Sequence, residues 1–419
     1  MKTDDRSPNI HDSYASLRFP SFKWLITSLM TMTIATQLRG VVVAWQVYAI
    51  THDPLSLGLI GLAEALPFIA VALFAGHVAD RMDRRRIVVG SLVLTFACAL
   101  ALLLLTLHGA RHPFQSAWPF YAVIFVSGIS RSFLMPARTA LAAELVPREL
   151  YANASAWRTS SFQFAAVTGP ALGGVLYAAV GPAGAYTVDV CLMLTALAAM
   201  RLVLAPVTTR MPLQRSVLRG LAEGVAFLRS QPVLLGAMSL DLFSVLFGGA
   251  VALLPIFASD VLHVGPQGLG ALRAAPAAGA VVMSLWLAHR PPMQRAGRSL
   301  LLSVAVFGAA MLGFALSRNF ALSLGFLALS GMVDTVSVVV RSTLLQVFTP
   351  DALLGRVSAV NAVFIGSSNE IGAFESGLLA RLLGTIPSVL IGGTMTLVTV
   401  GLTAWKAPAL RRLGEMRAE

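Results

Sequence analysis

The chain contains twelve long apolar stretches, at about 22–50, 56–77, 87–107, 118–141, 155–179, 184–205, 233–259, 267–288, 299–317, 320–347, 357–380 and 386–405. Each is close to or above the roughly 20 residues that a helix needs to cross a hydrocarbon core. Several are apolar around the whole helical circumference, as buried or lipid-facing helices are. Turn signals separate them, most clearly Thr51-His52-Asp53-Pro54, Gly181-Pro182, His263-Val264-Gly265-Pro266 and Arg318-Asn319. In lipid every backbone N–H and C=O must be satisfied within its own segment, so such stretches are helices. The expected fold is an all-α integral membrane protein of twelve transmembrane helices. Only 12% of its 419 residues are charged, too few to coat a soluble protein of this size. That argues against a soluble enzyme, a nucleic-acid binder or a disordered chain.

The charge that exists is unevenly placed. The formal net charge of +12 comes from 31 Lys+Arg against 19 Asp+Glu. Alternate loops hold the basic residues: Lys2, Arg6, Arg18 and Lys23, then Arg81, Arg84, Arg85 and Arg86, then Arg148, then Arg210, Arg215, Arg219 and Arg229. The same side continues with Arg290, Arg295 and Arg298, then Arg356, then Lys406, Arg411, Arg412 and Arg417, while the opposite loops offer little beyond Arg111, Arg318 and Arg381. By the positive-inside rule both termini are expected in the cytoplasm. The basic excess then sets topology, and no nucleic-acid partner is expected. The chain divides into a leader at 1–21, a six-helix half at 22–205, a polar linker at 206–232, a second half at 233–405 and a tail at 406–419. Arg219 to Arg229 in the linker reads as an amphipathic helix on the membrane surface. The first apolar run follows a polar leader and continues past signal-peptide length, so no cleaved signal is expected. Cys98 and Cys191 sit in apolar runs without metal-ligand spacing, and no phosphate-binding glycine loop is present. Neither a metal nor a cofactor is expected.

The halves repeat one pattern. Gly128, Arg138, Pro147, Ser155, Ala156 and Gly169 recur as Gly331, Arg341, Pro350, Ser358, Ala359 and Gly372, each offset by 203 (331 − 128). Pro54, Leu57 and Gly58 recur at an offset of 212 as Pro266, Leu269 and Gly270. Two like-oriented halves joined by a linker point to a transporter whose substrate site lies between them.

The loop after the second span reads Gly76-x-x-x-Asp80-Arg81-x-Asp83-Arg84-Arg85-Arg86. The fifth span holds Gly169-Pro170-x-x-Gly173-Gly174, whose small faces allow close helix approach and whose proline frees a carbonyl. Trp45-Gln46-x-Tyr48, Gly58-x-x-Gly61-x-x-Glu64-x-x-Pro67, Pro136-Ala137-Arg138 and Arg356-x-Ser358-x-x-Asn361 complete the pattern. Across both halves the chain resembles the major facilitator superfamily, in its twelve-span branch of siderophore and drug exporters. That resemblance implies a conformational latch formed by Gly76, Asp80, Arg81, Arg84 and Arg85, docking near Arg356; Arg138, near a cytoplasmic helix end, reads as a latch partner or a snorkelling anchor rather than a substrate ligand. It implies an antiporter-type motif at Gly169, Pro170, Gly173 and Gly174. The chain departs from the superfamily's loop at Asp83, which stands where a second glycine is usual. Ordinary helix packing is the alternative reading of the small residues of the fifth span, and topology alone is that of the loop arginines.

Ionisable side chains inside spans are costly and are functional candidates. Arg39 and Glu64 each lie about 12 residues from the first turn, roughly 18 Å along their helices, so they could pair. Glu64, Asp241 and Asp334 are the proton-coupling candidates. Arg131 and Asp334 occupy equivalent positions of spans 4 and 10, either as a gate between the halves or with separate local partners. Glu370 and Glu375, five apart, face different sides of span 11. With Arg39, Trp45, Arg131 and Phe243 they are the substrate-cavity candidates. Asp189 reads as structural, and Arg273 has no assignable partner.

The expected protein is a secondary active exporter of a small amphipathic molecule, drug-like or a siderophore. It would sit as a monomer in the bilayer of a bacterial inner membrane and exchange its substrate for protons. A lipid or lysolipid flippase of the same fold would instead need a side opening between the halves. An uptake symporter would lack a reason for the Gly169-Pro170 motif, and a sensor would carry a soluble signalling domain.

Overall fold

Prolines and short polar caps punctuate the helices of this computed structural model. It describes residues 12–112, 116–204, 217–248, 250–289 and 295–414, without the side chains at 72–73, 76–77, 79–81, 217–219, 221, 351–352, 359 and 363. Helix α1 (Pro20–Thr51) has proline in its first turn and stops at His52, whose φ of 47° is left-handed. Asp53 then caps α2 (Pro54–Arg81), accepting from the Leu55 N–H at 3.0 Å. Asp83 caps α3 (Arg84–Arg111), accepting from the N–H groups of Arg85 and Arg86 at 2.8 and 3.3 Å. The residue that departs from the superfamily's loop therefore starts the next helix.

After α4 (Trp118–Glu144) comes α5 (Tyr151–Arg201), which covers two of the expected spans. The loop expected between them is reduced to Gly181, at φ 71° and ψ 178°, a conformation that glycine adopts without Cβ strain. The chain reverses there. Before Gly181, α5 runs parallel to α1, with Gly169 against Ile34 and Gly173 against Leu38. After it, α5 returns antiparallel, with Asp189 on Arg39 and the Ala196 carbonyl accepting from Ser28.

The second half begins after α6 (Val217–Ser230). Helix α7 (Pro232–Phe247) leads through a 3-10 turn at Ala250–Leu253, α8 (Leu254–Ile256) and a π-turn at Phe257–Val261. There follow α9 (Gly265–Ala288), α10 (Ala296–Leu316), α11 (Phe320–Phe348, capped by Asn319), α12 (Asp351–Leu383), α13 (Thr385–Lys406) and the short α14 (Pro408–Arg412). Among the described residues, ten helical stretches are long and apolar enough to cross a membrane. One of them is the doubled α5, and α12, also long enough, carries Arg356, Glu370, Glu375 and Arg381 along its length. The bundle is consistent with twelve passes. Helix α6 does not lie on its own at a membrane surface: Leu228 is buried with Leu234 and Val360, and Gly224 packs on the start of α12.

Apolar cores form within each half, around Phe22 and Met193 in the first and around Leu240 and Leu344 in the second. A further core joins Val41, Tyr48 and Leu57 to Phe257, Leu269 and Phe314 across the halves. Lipid tails are as apolar as leucine, so helix association in a bilayer depends on close approach rather than on hiding apolar surface from water. Two crossings supply it. A Cβ on Gly174 of α5 would stand 2.8 Å from the Cα of Gly270 on α9. A Cβ on Gly377 of α12 would stand 2.8 Å from the Cα of Gly58 on α2. Gly58 and Gly270 are repeat equivalents, and so are Gly174 and Gly377 (377 − 174 = 203), so one contact is made twice about a pseudo-twofold axis. Both crossings lie near the turns away from the termini, hereafter the far end. Gly174→Val should push α5 from α9 and cost about 1–3 kcal/mol of stability, as overpacking does. Gly401→Val, where an added Cβ meets nothing, should cost little. Thermal unfolding of the purified protein compares the two, and equal midpoints would contradict the crossing.

Candidate functional site at the seam between the halves

Arg131 projects from the middle of α4 into the seam. Its guanidinium donates to Glu64 of α2 at 2.7 Å and to Glu370 of α12 at 2.9 Å, and it lies 5.3 Å from the ring centre of Phe68. One cation thus holds a carboxylate from each half. Arg273 of α9, within reach of the charges on both glutamates, brings the group to two arginines and two acids. Its Nε is buried without a hydrogen-bond partner, and its guanidinium lies against Gly40 of α1. The group is half-buried, with the side chains of Arg131, Glu64 and Glu370 36%, 30% and 17% exposed, so a charge that loses its partner is only partly solvated.

The pairing expected between Arg39 and Glu64 is not made. Arg39 forms a two-pronged bond to Asp189, at 2.7 and 3.0 Å, and both side chains are buried. Matching depth brought Arg39 and Glu64 to one level, but α1 turns Arg39 toward the returning limb of α5. Arg131 and Asp334 do not meet either. In the second half Arg341 of α11 is bonded to Asp241 of α7, with Asp334 near enough for its charge to act on both. Asp241, Asp334, Ser244, Ser303 and Ser337 line a cavity of ≈ 20 Å³, room for about one water.

Other candidates lie elsewhere. Trp45 packs edge-on against Tyr177, their centroids 6.3 Å apart, and Phe243 is 43% exposed and stacks on Phe247. Glu375, half-buried, accepts a long 3.5 Å bond from Ser376. Gly169 and Gly173 pack on α1, Pro170 offers its carbonyl at the Gly270 crossing, and Gly174 forms that crossing. Of the latch residues, Arg84 pairs with Glu144 at 2.8 Å and donates to the Ala140 carbonyl at 3.1 Å. Arg85 donates to the Arg201 carbonyl at 3.1 Å. Both join helices of one half. Arg356 pairs with Glu223 of α6 at 2.5 Å. Gly76, Asp80 and Arg81 lie on the last turns of α2, and their surroundings are outside the described residues. Arg138 faces a cavity near the terminal end.

Residues that sequence reasoning did not place also join the halves. The Tyr48 hydroxyl donates to Asp260, and Arg381 of α12 pairs with Asp53 at 3.3 Å. Among the described residues, the polar links between the two bundles run from Arg131–Glu370 in mid-helix to these two at the far end. Repeat position could have pointed to Tyr48 and Asp260, which are 212 apart like Gly58 and Gly270.

Two pseudo-symmetric helical halves with an ion group at their seam define a membrane transporter. Over residues 11–417 the chain matches the family described as transmembrane secretion effectors, and it belongs to that family within the major facilitator superfamily. It is 28% identical over 400 residues to the enterobactin exporter EntS of Citrobacter koseri, with 95% of this chain and 93% of that protein covered. The enterobactin exporter of Shigella flexneri is 27% identical over 395 residues, covering 94% and 93%. Among solved structures, a POT family transporter in complex with 5-aminolevulinic acid superposes with a TM-score of 0.71 at 13% identity, covering 93% of this chain and 96% of that one. A bacterial homologue of the human lysosomal transporter Spinster, inward-facing and unoccupied, gives 0.69 at 14% identity, covering 94% and 96%. These likenesses concern the fold. The protein is a multi-pass membrane transporter of small molecules, not an enzyme.

Arg39→Leu leaves the Asp189 carboxylate buried and alone and should destabilise the protein by about 3–5 kcal/mol. The double variant Arg39→Leu/Asp189→Leu should recover most of that loss in thermal unfolding. A double variant no more stable than the single one would contradict a structural pair.

Proposed function

We propose that this protein exports a small amphipathic molecule, a siderophore or drug-like compound, across a bacterial inner membrane in exchange for protons. The observation that carries this reading is the bridge from Arg131 to Glu64 and Glu370. Halves that rock apart at the far end must break the Arg131–Glu370 bond, because its partners belong to different halves. A hydrogen bond to a charged group contributes about 1.5–3 kcal/mol, and Glu370 would be left with only the more distant Arg273. A proton on Glu370 removes that cost. So does a substrate group that takes over one of the partners. The empty, charged carrier stays shut at the far end, while the protonated or loaded carrier moves. Proton and substrate then use the same transition in opposite directions, which is exchange.

The basic loops support a cytoplasmic placement of the termini, so the closed far end would face outward and the terminal end would load substrate. The enterobactin exporters, matched over most of their length, support export and a siderophore-like cargo. Asp241 and Asp334 are the reserve proton site, since Arg341 is the one arginine in that group to balance two carboxylates.

Inside-out vesicles with an inward-acidic gradient test the coupling, with enterobactin and amphipathic dyes as cargo. Accumulation should follow the gradient and fall with an uncoupler. Glu370→Gln and Glu64→Gln should each lower gradient-driven accumulation about tenfold while leaving downhill flux, and Asp241→Asn should have the smaller effect. Transport indifferent to the gradient and unchanged in all three variants would contradict proton exchange.

A further inference from the structure

We propose that Arg138 and Arg158 form an anion-binding subsite in the cavity near the terminal end, one that takes the acidic group of an amphipathic substrate. This rests on the export reading and names the chemical class of its cargo. The cavity, ≈ 220 Å³, is walled by α1, α4 and the first limb of α5. Arg138 and Arg158 both line it, and no Asp or Glu does. Neither arginine has an ion pair among the described residues, and Arg138 feels the positive charges of Arg158 and Arg131. Two guanidinium groups facing one space without a counterion are a place where a carboxylate, sulfonate, phosphate or phenolate gains charge-assisted bonds.

The repeat sharpens the contrast. Arg341, at the position of the second half equivalent to Arg138, is neutralised by Asp241 of α7. On α1, which also walls the cavity, Ile26, Leu29, Met30 and Thr33 line it, and no acid does. One half has filled this position's charge requirement from its own chain, and the other has left it to something that enters. Hydroxyls complete the setting. Thr33 and Thr139 spend their protons on the carbonyls of Leu29 and Met135. The hydroxyls of Thr159 and Ser161 line the cavity without a hydrogen bond among the described residues and can donate to an anion. Met30 and Phe162 supply an apolar floor for the rest of an amphipathic molecule.

The test is binding to the purified full-length protein in phosphatidylcholine nanodiscs. The probes are 8-anilinonaphthalene-1-sulfonate and N-phenyl-1-naphthylamine, which share a skeleton and differ in the sulfonate. The sulfonate should bind about tenfold tighter than the uncharged probe and weaken with salt. Arg138→Gln and Arg158→Gln should each lower its affinity about tenfold, with the lysine variants in between. Binding of the uncharged probe should stay unchanged in every variant, which also reports that they are folded. Equal binding of the two probes, or glutamine variants that bind the sulfonate like wild type, would overturn the subsite. A parallel titration in nanodiscs containing phosphatidylglycerol separates substrate from lipid. If that lipid abolishes the difference between wild type and the double glutamine variant, the anion is a lipid headgroup and the substrate assignment is wrong. A protein that binds the sulfonate as expected yet transports neither probe nor enterobactin would sink the export reading and leave the subsite standing.

Discussion

Arg131 has two carboxylate partners, and they belong to different halves of the molecule. Glu64 sits beside it within the first half and stays with it in any rigid-body motion. Glu370 comes from α12 and does not. The central charge group can therefore be complete only while the halves meet at mid-helix, and its completeness is a property of the conformation. Lipid gives the helices no general reason to adhere, so these few charged contacts weigh heavily beside the glycine crossings.

The glycine crossings and the ion group divide the work. Gly174 on Gly270 and Gly377 on Gly58 let two pairs of backbones approach closely near the far end, and Tyr48–Asp260 and Asp53–Arg381 fasten the same end. The crossings are built from glycine backbone and carry no titratable group. The ion group is built from titratable carboxylates, and in the proposed exchange it would set when the halves part. Toward the terminal end α6 docks on the start of α12 through Arg356 and Glu223, and Arg138 and Arg158 face open space. The far end is thus fastened by crossings and polar links, and toward the other end two arginines without a counterion among the described residues line a cavity.

Much of this architecture was legible in the residues. Apolar length, proline and aspartate at the turns, and loop arginines marked out the helices, because in lipid the backbone has few other options. The 203-residue offset marked glycines that do pack on equivalent helices: Gly128 on α2 and Gly331 on α9, Gly169 on α1 and Gly372 on α7. The ion pairs were harder. Counting from a turn gives depth but not rotation, so Arg39 and Glu64 were placed level without a way to see that they face apart. Asp189 reads as structural in the sequence, but only the reversal of α5 at Gly181 shows that Arg39 is its partner. Nothing in the sequence alone sets Arg158 apart; its setting shows only in the cavity it shares with Arg138, which no acid lines.

The most direct measurement of the central claim is the distance between the halves at the far end. Spin labels at His52→Cys and His263→Cys, both exposed in the structure and each within about a turn of the Tyr48–Asp260 link, would be read by pulsed electron resonance. Cys98 and Cys191 would be replaced by serine. At neutral pH without substrate, the expected result is one short distance. Acidification, or Glu370→Gln at neutral pH, should add a longer population as the far end is released. A distribution that stays short and single under both conditions would contradict the role of Arg131 and Glu370 as the lock between the halves.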